Sequence, residues 1–125
     1  MKVPILRLGD ILLTSIQVEL TDQETLDFQA DVLRTAKETA AKGIIIDITA
    51  MTVVDSYTAR VLNETATMAK LLGTPVVICG IQPAVAMALV EMGRGFAGVE
   101  TALNLDHAMW KLHRLIQEER EEPST

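Results

Sequence analysis

The fold is decided by the run Gly43-Ile-Ile-Ile-Asp-Ile-Thr49. Its isoleucines follow one another almost without a break, whereas a strand with one wet face would alternate apolar and polar residues. A continuous β-branched run is typical of a parallel strand that is covered by helices on both faces. We therefore predict that these residues form the central strand of an α/β sheet.

The segment before this run predicts two paired strands and a helix. Val3–Leu8 and Ile11–Gln17 are short apolar runs joined by Gly9–Asp10, a Gly-Asp pair typical of a β-hairpin turn. The residues alone leave their place in the sheet open. Thr21–Glu24 has the spacing of a capping box, so a helix should begin there. Gly43 is expected to end that helix as a left-handed stop.

After the central run, helices and strands alternate. The predicted segments are a helix begun by Asp55 or Ser56 and ended by Gly73, a strand at Pro75–Cys79, a helix from Pro83 to Gly93, a strand at Val99–Leu103 and a helix capped by Asn104. The stripe predicted to face inward on the first of these helices is Val61, Leu62, Thr65, Met68, Ala69 and Leu72.

Such alternation requires right-handed crossovers and an open sheet. We predict an α/β fold with a mostly parallel, mixed sheet that starts with an N-terminal strand pair. A single domain is expected at residues 1–117, followed by a charged, flexible tail at residues 118–125.

The composition disfavours several classes of function. The chain has 125 residues, of which 3% are aromatic, and a formal net charge of -6, which argues against binding to nucleic acid. Ile44–Ile48 and Val76–Cys79 are too short to span a bilayer, and no leader peptide opens the chain. The single Cys79 cannot form an intramolecular disulfide, which agrees with a reducing compartment. We predict a cytoplasmic protein that binds neither nucleic acid nor membranes.

Two patterns suggest a dinucleotide-binding site and a phosphoryl-accepting aspartate, but each lacks a feature that such a site requires. Gly93–Gly98 matches the dinucleotide-binding string G-x-G-x-x-G, yet it follows a helix and leads into a strand, whereas that motif must follow a strand and open a helix. Asp47 could accept a phosphoryl group as in a response-regulator receiver, but the carboxylates that would hold magnesium are missing. We favour a role for Asp47 in organising the loop Thr49–Asp55 through backbone amides.

A thiol enzyme is a further alternative. Cys79 lies near the end of a predicted strand, but His107 and His113 both lie on the last helix, and nothing in the sequence brings either to the thiol. No two Cys or His residues have convincing metal-ligand spacing. We predict a non-catalytic protein without cofactor or metal, and keep an enzyme using Cys79 or Asp47 as the minor alternative.

Ser56 is the residue at which several local features converge. It stands immediately after Asp55, where a helix begins, so its hydroxyl should be exposed near free backbone amides that can stabilise a phosphate. A phosphoryl group would add a charge of about -1.5 to -2 there, enough to repel an acidic or apolar partner. The alternative is that Ser56 simply caps the helix, and spacing alone favours that interpretation.

The segment Asp47–Leu62, which contains the Asp-Ser pair, resembles the signature of STAS domains, the anti-sigma factor antagonist family. In that family a strand ending in Asp and Leu/Ile-Thr/Ser leads through a short loop into Asp-Ser and a helix. Three further stretches, Pro4–Leu8, Leu13–Gln17 and Gly80–Ala86, are similar to the stressosome branch of the family. The resemblance covers nearly the whole chain except the acidic tail, and implies a STAS fold.

The resemblance also implies a function. Ser56 would be phosphorylated by a serine/threonine switch kinase of the RsbT type, which the unmodified protein holds inactive and the phosphorylated protein releases. Asp47, Asp55, Tyr57 and Thr58 would belong to the kinase-facing loop, and Thr58 would be a second hydroxyl ranked below Ser56. Simple antagonists place a small residue and glycine after the serine, so Tyr57 and Thr58 favour the stressosome branch.

The partners implied are longer STAS paralogues with N-terminal sensor domains, of the RsbR type, together with self-association into a homodimer and a large assembly. The candidate surfaces for self-association are the loop Phe96–Val99 and the helix that carries Trp110. The alternative is a stand-alone anti-sigma factor antagonist that binds an anti-sigma kinase.

Overall fold

The computed structural model describes residues 2–91, 93, 96 and 99–121. Its elements are β1 (Ile5–Leu8), β2 (Ile11–Ser15), α1 (Asp22–Thr39), β3 (Gly43–Asp47), α2 (Ser56–Leu71), β4 (Val76–Cys79), α3 (Pro83–Glu91), β5 (Glu100–Ala102) and α4 (Leu105–Glu121). The strands of these residues form one sheet in the order β1-β2-β3-β4-β5. Only β1 and β2 pair antiparallel, and the other neighbours are parallel. The predicted mixed sheet with an N-terminal strand pair is confirmed.

The central strand β3 is covered by helices on both faces, as its continuous apolar run predicts. Ile44 and Ile46 face the larger core cluster, to which α1, α2 and α3 contribute. Ile45 faces the opposite cluster, which α4 covers. All three side chains are fully buried, and burial of each contributes about 1.5–3 kcal/mol of hydrophobic stabilisation. This buried strand holds Asp47 in place at its carboxyl end.

The start of α1 is confirmed, but the predicted stop is wrong. The Thr21 hydroxyl accepts a hydrogen bond from the Glu24 amide, and the Glu24 carboxylate accepts one from the Thr21 amide. The helix ends at Thr39, where Ala40 adopts the left-handed conformation (φ 51°) and donates to the Ala36 carbonyl. Gly43 instead opens β3, where a side chain would come within 2.7 Å of Leu112. Close packing by α4 therefore explains this glycine.

The buried face of α2 is built from smaller residues than the apolar stripe predicts. Ala59, Val61, Leu62, Thr65, Ala66 and Ala69 are buried, whereas Met68 and Leu72 are exposed, contrary to the prediction. The helix packs against α1 as well as the sheet, and alanines permit close approach on both sides. No helix within the described ranges is long and apolar enough to cross a membrane.

The last helix extends past the predicted end of the domain. Asn104 caps α4 as predicted, because its side-chain oxygen accepts a hydrogen bond from the His107 amide at 2.9 Å. Residues 118–121 were predicted to belong to a flexible tail, but they are helical, and an ion pair of 3.5 Å joins Arg114 to Glu118 one turn apart. This spacing supports the helix over its last turns. Residues 122–125 of the predicted tail lie outside the described residues.

Candidate functional site

The start of α2 lies at the edge of the sheet where the parallel strands end. Asp55 is the N-cap, and its Oδ1 atom accepts a hydrogen bond from the Thr58 amide at 2.7 Å. Ser56 is the first residue of the helix, so the interpretation of Ser56 as the cap is wrong. Within the described part of the chain, no residue forms a hydrogen bond with the Ser56 hydroxyl. The hydroxyl is therefore available for chemistry.

The two hydroxyls of this segment differ in accessibility. Ser56 is exposed, whereas Thr58 is only 8% exposed and its amide is held by the cap. Val54, just before the cap, is buried in the core and anchors the loop, while its neighbour Val53 is 73% exposed. The site thus presents an exposed serine hydroxyl, and an exposed apolar side chain stands three residues before it in the sequence.

The turn after β3 is organised by Asp47. Its Oδ1 atom accepts hydrogen bonds from both the amide and the hydroxyl of Thr49, the amide at 2.9 Å. The prediction that this carboxylate organises the loop through backbone amides is confirmed for the Thr49 amide. The side chain is therefore engaged in holding the start of the loop that leads to Ser56.

Gly80 and Gln82, which follow β4, lie against the turn that Asp47 organises. Gly80 adopts a left-handed conformation (φ +79°), and a side chain there would overlap the Thr49 hydroxyl and come within 2.9 Å of the Thr49 amide nitrogen. Gln82 donates a side-chain hydrogen bond to the Thr49 carbonyl. Both residues lie in the stretch Gly80–Ala86 that carries the family resemblance, but sequence reasoning assigned neither a role in supporting the turn.

Cys79 has the surroundings of a structural cysteine. It lies beside Asp47 in the sheet and is fully buried. Burial, together with the negative charge of Asp47, raises the pKa of the thiol to about 11, so it stays protonated at neutral pH. The His107 ring is exposed and its Nδ1 atom accepts a hydrogen bond from the Leu103 amide, so this nitrogen is engaged at the start of α4.

The cavity beside the site is small. It measures about 140 Å³ and lies between residues 17–20 and residues 50–53, with Asp55 and Thr58 in its lining. A pocket for a nucleotide-sized ligand occupies about 300 Å³ or more. Among the residues that the structure describes, no three His, Cys, Asp or Glu side chains are grouped to hold a metal ion.

The structure describes part of the glycine string and part of the surfaces predicted to mediate self-association. Gly93 (φ +66°) follows α3, as predicted, and the other two glycines of the string lie outside the described residues. Phe96 is buried in the core, so its side chain is not available for self-association. Trp110 is 59% exposed on α4 and remains a candidate.

Comparison with known proteins places this geometry in a family. A family model of the STAS domain matches residues 2–108. The chain belongs to the STAS domain family. The predicted family and fold are thereby confirmed.

The relatives of this STAS domain include stressosome proteins. A serine-to-glutamate variant of RsbS from Moorella thermoacetica is 43% identical, with a TM-score of 0.82 over 94% of this chain and 99% of that one. A chain from a structure of the molecular architecture of the stressosome, a signal integration and transduction hub, is 45% identical, with a TM-score of 0.78 over 90% of this chain and 97% of the other. The resemblance to the stressosome branch is confirmed.

A third relative is longer. The RsbT co-antagonist protein RsbRD of Bacillus subtilis (strain 168) is 32% identical over 66 residues, which are 53% of this chain. The aligned part spans only 24% of RsbRD. The match therefore concerns about half of this chain and about a quarter of that protein.

Proposed function

We propose that this STAS protein is a scaffold component of a stressosome-type complex that sequesters a serine/threonine switch kinase of the RsbT type and releases it once Ser56 is phosphorylated. The observation that carries the proposal is the free, exposed hydroxyl of Ser56 directly after the Asp55 cap. The likeness to RsbS over nearly the whole chain supports it. The kinase supplies the ATP site, and this function requires a cytoplasmic location.

The modification changes the charge of the binding surface. The kinase transfers the γ-phosphoryl group of ATP to Ser56 Oγ, the serine loses its proton, and ADP leaves. The product carries a charge of about -1.5 to -2 in a segment that also contains the exposed Val53 and the half-buried Tyr57. A kinase face that packs on these side chains would have to remove the new charge from water, which is unfavourable. Release follows from this cost.

Thr58 is a poorer acceptor than Ser56. Its side chain is buried, and its amide donates to the Asp55 cap. A kinase could reach this hydroxyl only after the first turn of α2 had opened, and opening would cost the cap hydrogen bond, about 1 kcal/mol. We therefore propose Ser56 as the modified residue, with Asp47, Asp55, Tyr57 and Thr58 in the surface that faces the kinase.

Phosphosite mapping tests this proposal. The protein is incubated with ATP and the RsbT-type kinase, and modified residues are identified by mass spectrometry. We expect phosphate on Ser56, none on the Ser56→Ala variant, and undiminished labelling of Thr52→Ala, a matched control because Thr52 is an exposed hydroxyl in the same loop. Labelling that persists in Ser56→Ala would contradict the proposal.

Assembly is tested separately. We propose that the chain self-associates and co-assembles with longer STAS paralogues of the RsbR type, using faces other than the start of α2. Co-expression with such a paralogue should give a particle of megadalton size by light scattering. A lone one-to-one complex with an anti-sigma kinase would instead indicate a stand-alone antagonist.

A further inference from the structure

Arg60 lies one helical turn after Ser56 on the same row of α2. Residues four apart on a helix have side chains about 6 Å from each other at Cβ, within reach of a long arginine. The Arg60 guanidinium lies 5.4 Å from the centre of the Tyr57 ring. Its Nε atom is 3.9 Å from Glu64 Oε1, another turn further along the row. Arg60 is thus a cation on the same row as Ser56, with its guanidinium near Tyr57 and its Nε atom near Glu64.

The present partners of Arg60 hold it weakly. The Arg60 and Glu64 side chains are about half exposed, and an exposed ion pair of this length contributes little because water screens it. The contact with the ring of Tyr57 is also at the surface. A stronger anion on the same row would therefore compete successfully for the guanidinium.

We propose that Arg60 is the intramolecular partner of the phosphate on Ser56, and that phosphorylation draws it away from Glu64. The inference rests on the proposed function in one respect, namely that Ser56 carries the phosphate. A phosphate has about twice the charge of a carboxylate, and its oxygens match the two-pronged guanidinium. The adjacent carboxylate of Asp55 already accepts a hydrogen bond from the Thr58 amide, so it is engaged at the start of the helix.

The consequence is a change at three positions of the surface. The new phosphate becomes paired, Glu64 loses its cation, and Tyr57 loses the guanidinium that lies near its ring. The surface that a kinase met before phosphorylation then differs in charge beyond Ser56 itself. Arg60 is a positioning residue in this scheme, because it orients the phosphate and exposes Glu64.

The chain offers a matched control on another helix. Arg114 on α4 lies 5.0 Å from the centre of the Trp110 ring, and its Nε atom is 3.5 Å from Glu118 Oε1. In both arrangements an arginine lies near an aromatic ring and pairs with a glutamate four residues later, although the ring is four residues before Arg114 and three before Arg60. No serine stands one turn before Arg114. Substitution of Arg114 therefore removes an equivalent surface cation from a place where no phosphate is installed.

The test uses full-length protein into which phosphoserine has been incorporated at position 56 during translation, so that no kinase is needed. The phosphorus NMR signal is followed as a function of pH in the otherwise unchanged protein and in Arg60→Gln, Arg60→Lys and Arg114→Gln. A paired guanidinium favours the doubly charged phosphate, so Arg60→Gln should bind the last proton roughly threefold more tightly. Arg60→Lys should recover part of this difference, and Arg114→Gln should show none.

A second readout follows the ring of Tyr57, the only tyrosine in the chain. Its proton resonances should shift on phosphorylation in the parent protein and much less in Arg60→Gln. The inference would be overturned if the phosphorus titration curves of the parent protein and Arg60→Gln were identical. Circular dichroism must show in that case that both proteins are folded. Failure of the kinase to modify Ser56 would overturn the proposed function instead, because these titrations do not involve the kinase.

Discussion

The starts of α1 and α2 use the same capping chemistry with different consequences for a hydroxyl. In α1 the hydroxyl of Thr21 is itself the cap and is bound by the Glu24 amide. In α2 the carboxylate of Asp55 takes that place and binds the Thr58 amide, which leaves the hydroxyl of Ser56 unengaged. A hydroxyl at the N-cap position stabilises the helix, whereas a hydroxyl on the first residue of the helix is free to be modified.

The two starts also differ in what supports them. The capping box of α1 is complete within Thr21–Glu24, four consecutive residues. The loop that leads to α2 depends on distant residues, since Gly80 and Gln82 contact Thr49 from the end of β4. The candidate site is therefore held by the neighbouring strand as well as by its own sequence.

The largest effect is expected from Gly80→Ala. The substitution combines a left-handed backbone conformation with overlap of the Thr49 turn, and should lower the free energy of unfolding by about 2–4 kcal/mol. Gly73→Ala is the control, because Gly73 has a similar φ of +86° but nothing within 4 Å of the added carbon, and should cost only about 1–2 kcal/mol. Urea unfolding measures both. Equal losses would show that the contact with Thr49 is unimportant.

The next effect concerns the caps themselves. Asp55→Ala and Thr21→Ala should each lower the free energy of unfolding by about 1 kcal/mol, because each removes the acceptor of an N-terminal amide. Asp55→Asn should retain most of the stability. The measurement is the midpoint of urea denaturation, compared between variants whose unfolding free energy has the same dependence on urea concentration. A stable Asp55→Ala variant would mean that another group caps α2.

A smaller effect is expected from Gln82→Ala. Loss of the hydrogen bond to the Thr49 carbonyl should cost about 0.5–1.5 kcal/mol and speed hydrogen exchange in the loop before Ser56. Gln23→Ala is the control, since Gln23 is an exposed glutamine whose side chain, among the described residues, donates a hydrogen bond only to Asp27 on its own helix. Faster exchange of the same loop in the control would argue against a specific support by Gln82.

The smallest effect on stability is expected where the effect on function is greatest. Ser56→Ala should change the free energy of unfolding by no more than about 0.5 kcal/mol, because the hydroxyl bonds to nothing in the described part of the chain. Thr21→Ala, measured in parallel, should cost clearly more. A loss for Ser56→Ala as large as that for Asp55→Ala would restore the interpretation of Ser56 as a cap.

The sequence predicted what local pattern determines. The isoleucines of β3 indicated a strand covered on both faces, and Thr21–Glu24 marked the start of α1, because in each case neighbouring residues carry the whole signal. The choice between Asp55 and Ser56 as cap could not be made in this way, since both residue types cap helices. It depends on Val54, whose burial fixes where the loop enters α2.

Non-local contacts explain the failures. Gly43 had the local features of a helix stop, but its place is set by Leu112, almost seventy residues further along the chain. Met68 fitted the apolar stripe of α2, yet alanines permit the close packing of that helix on α1 and leave Met68 outside. The support of the site by Gly80 and Gln82 likewise exists only when two strands lie side by side.

The claim that Ser56 controls the kinase is tested most directly by release from an immobilised complex. The parent protein and Ser56→Ala are each loaded with the RsbT-type kinase, and the kinase that elutes after addition of ATP is measured over time. We predict elution from the parent protein and retention by Ser56→Ala. Equal elution from both, or retention by protein phosphorylated at Ser56, would contradict the claim.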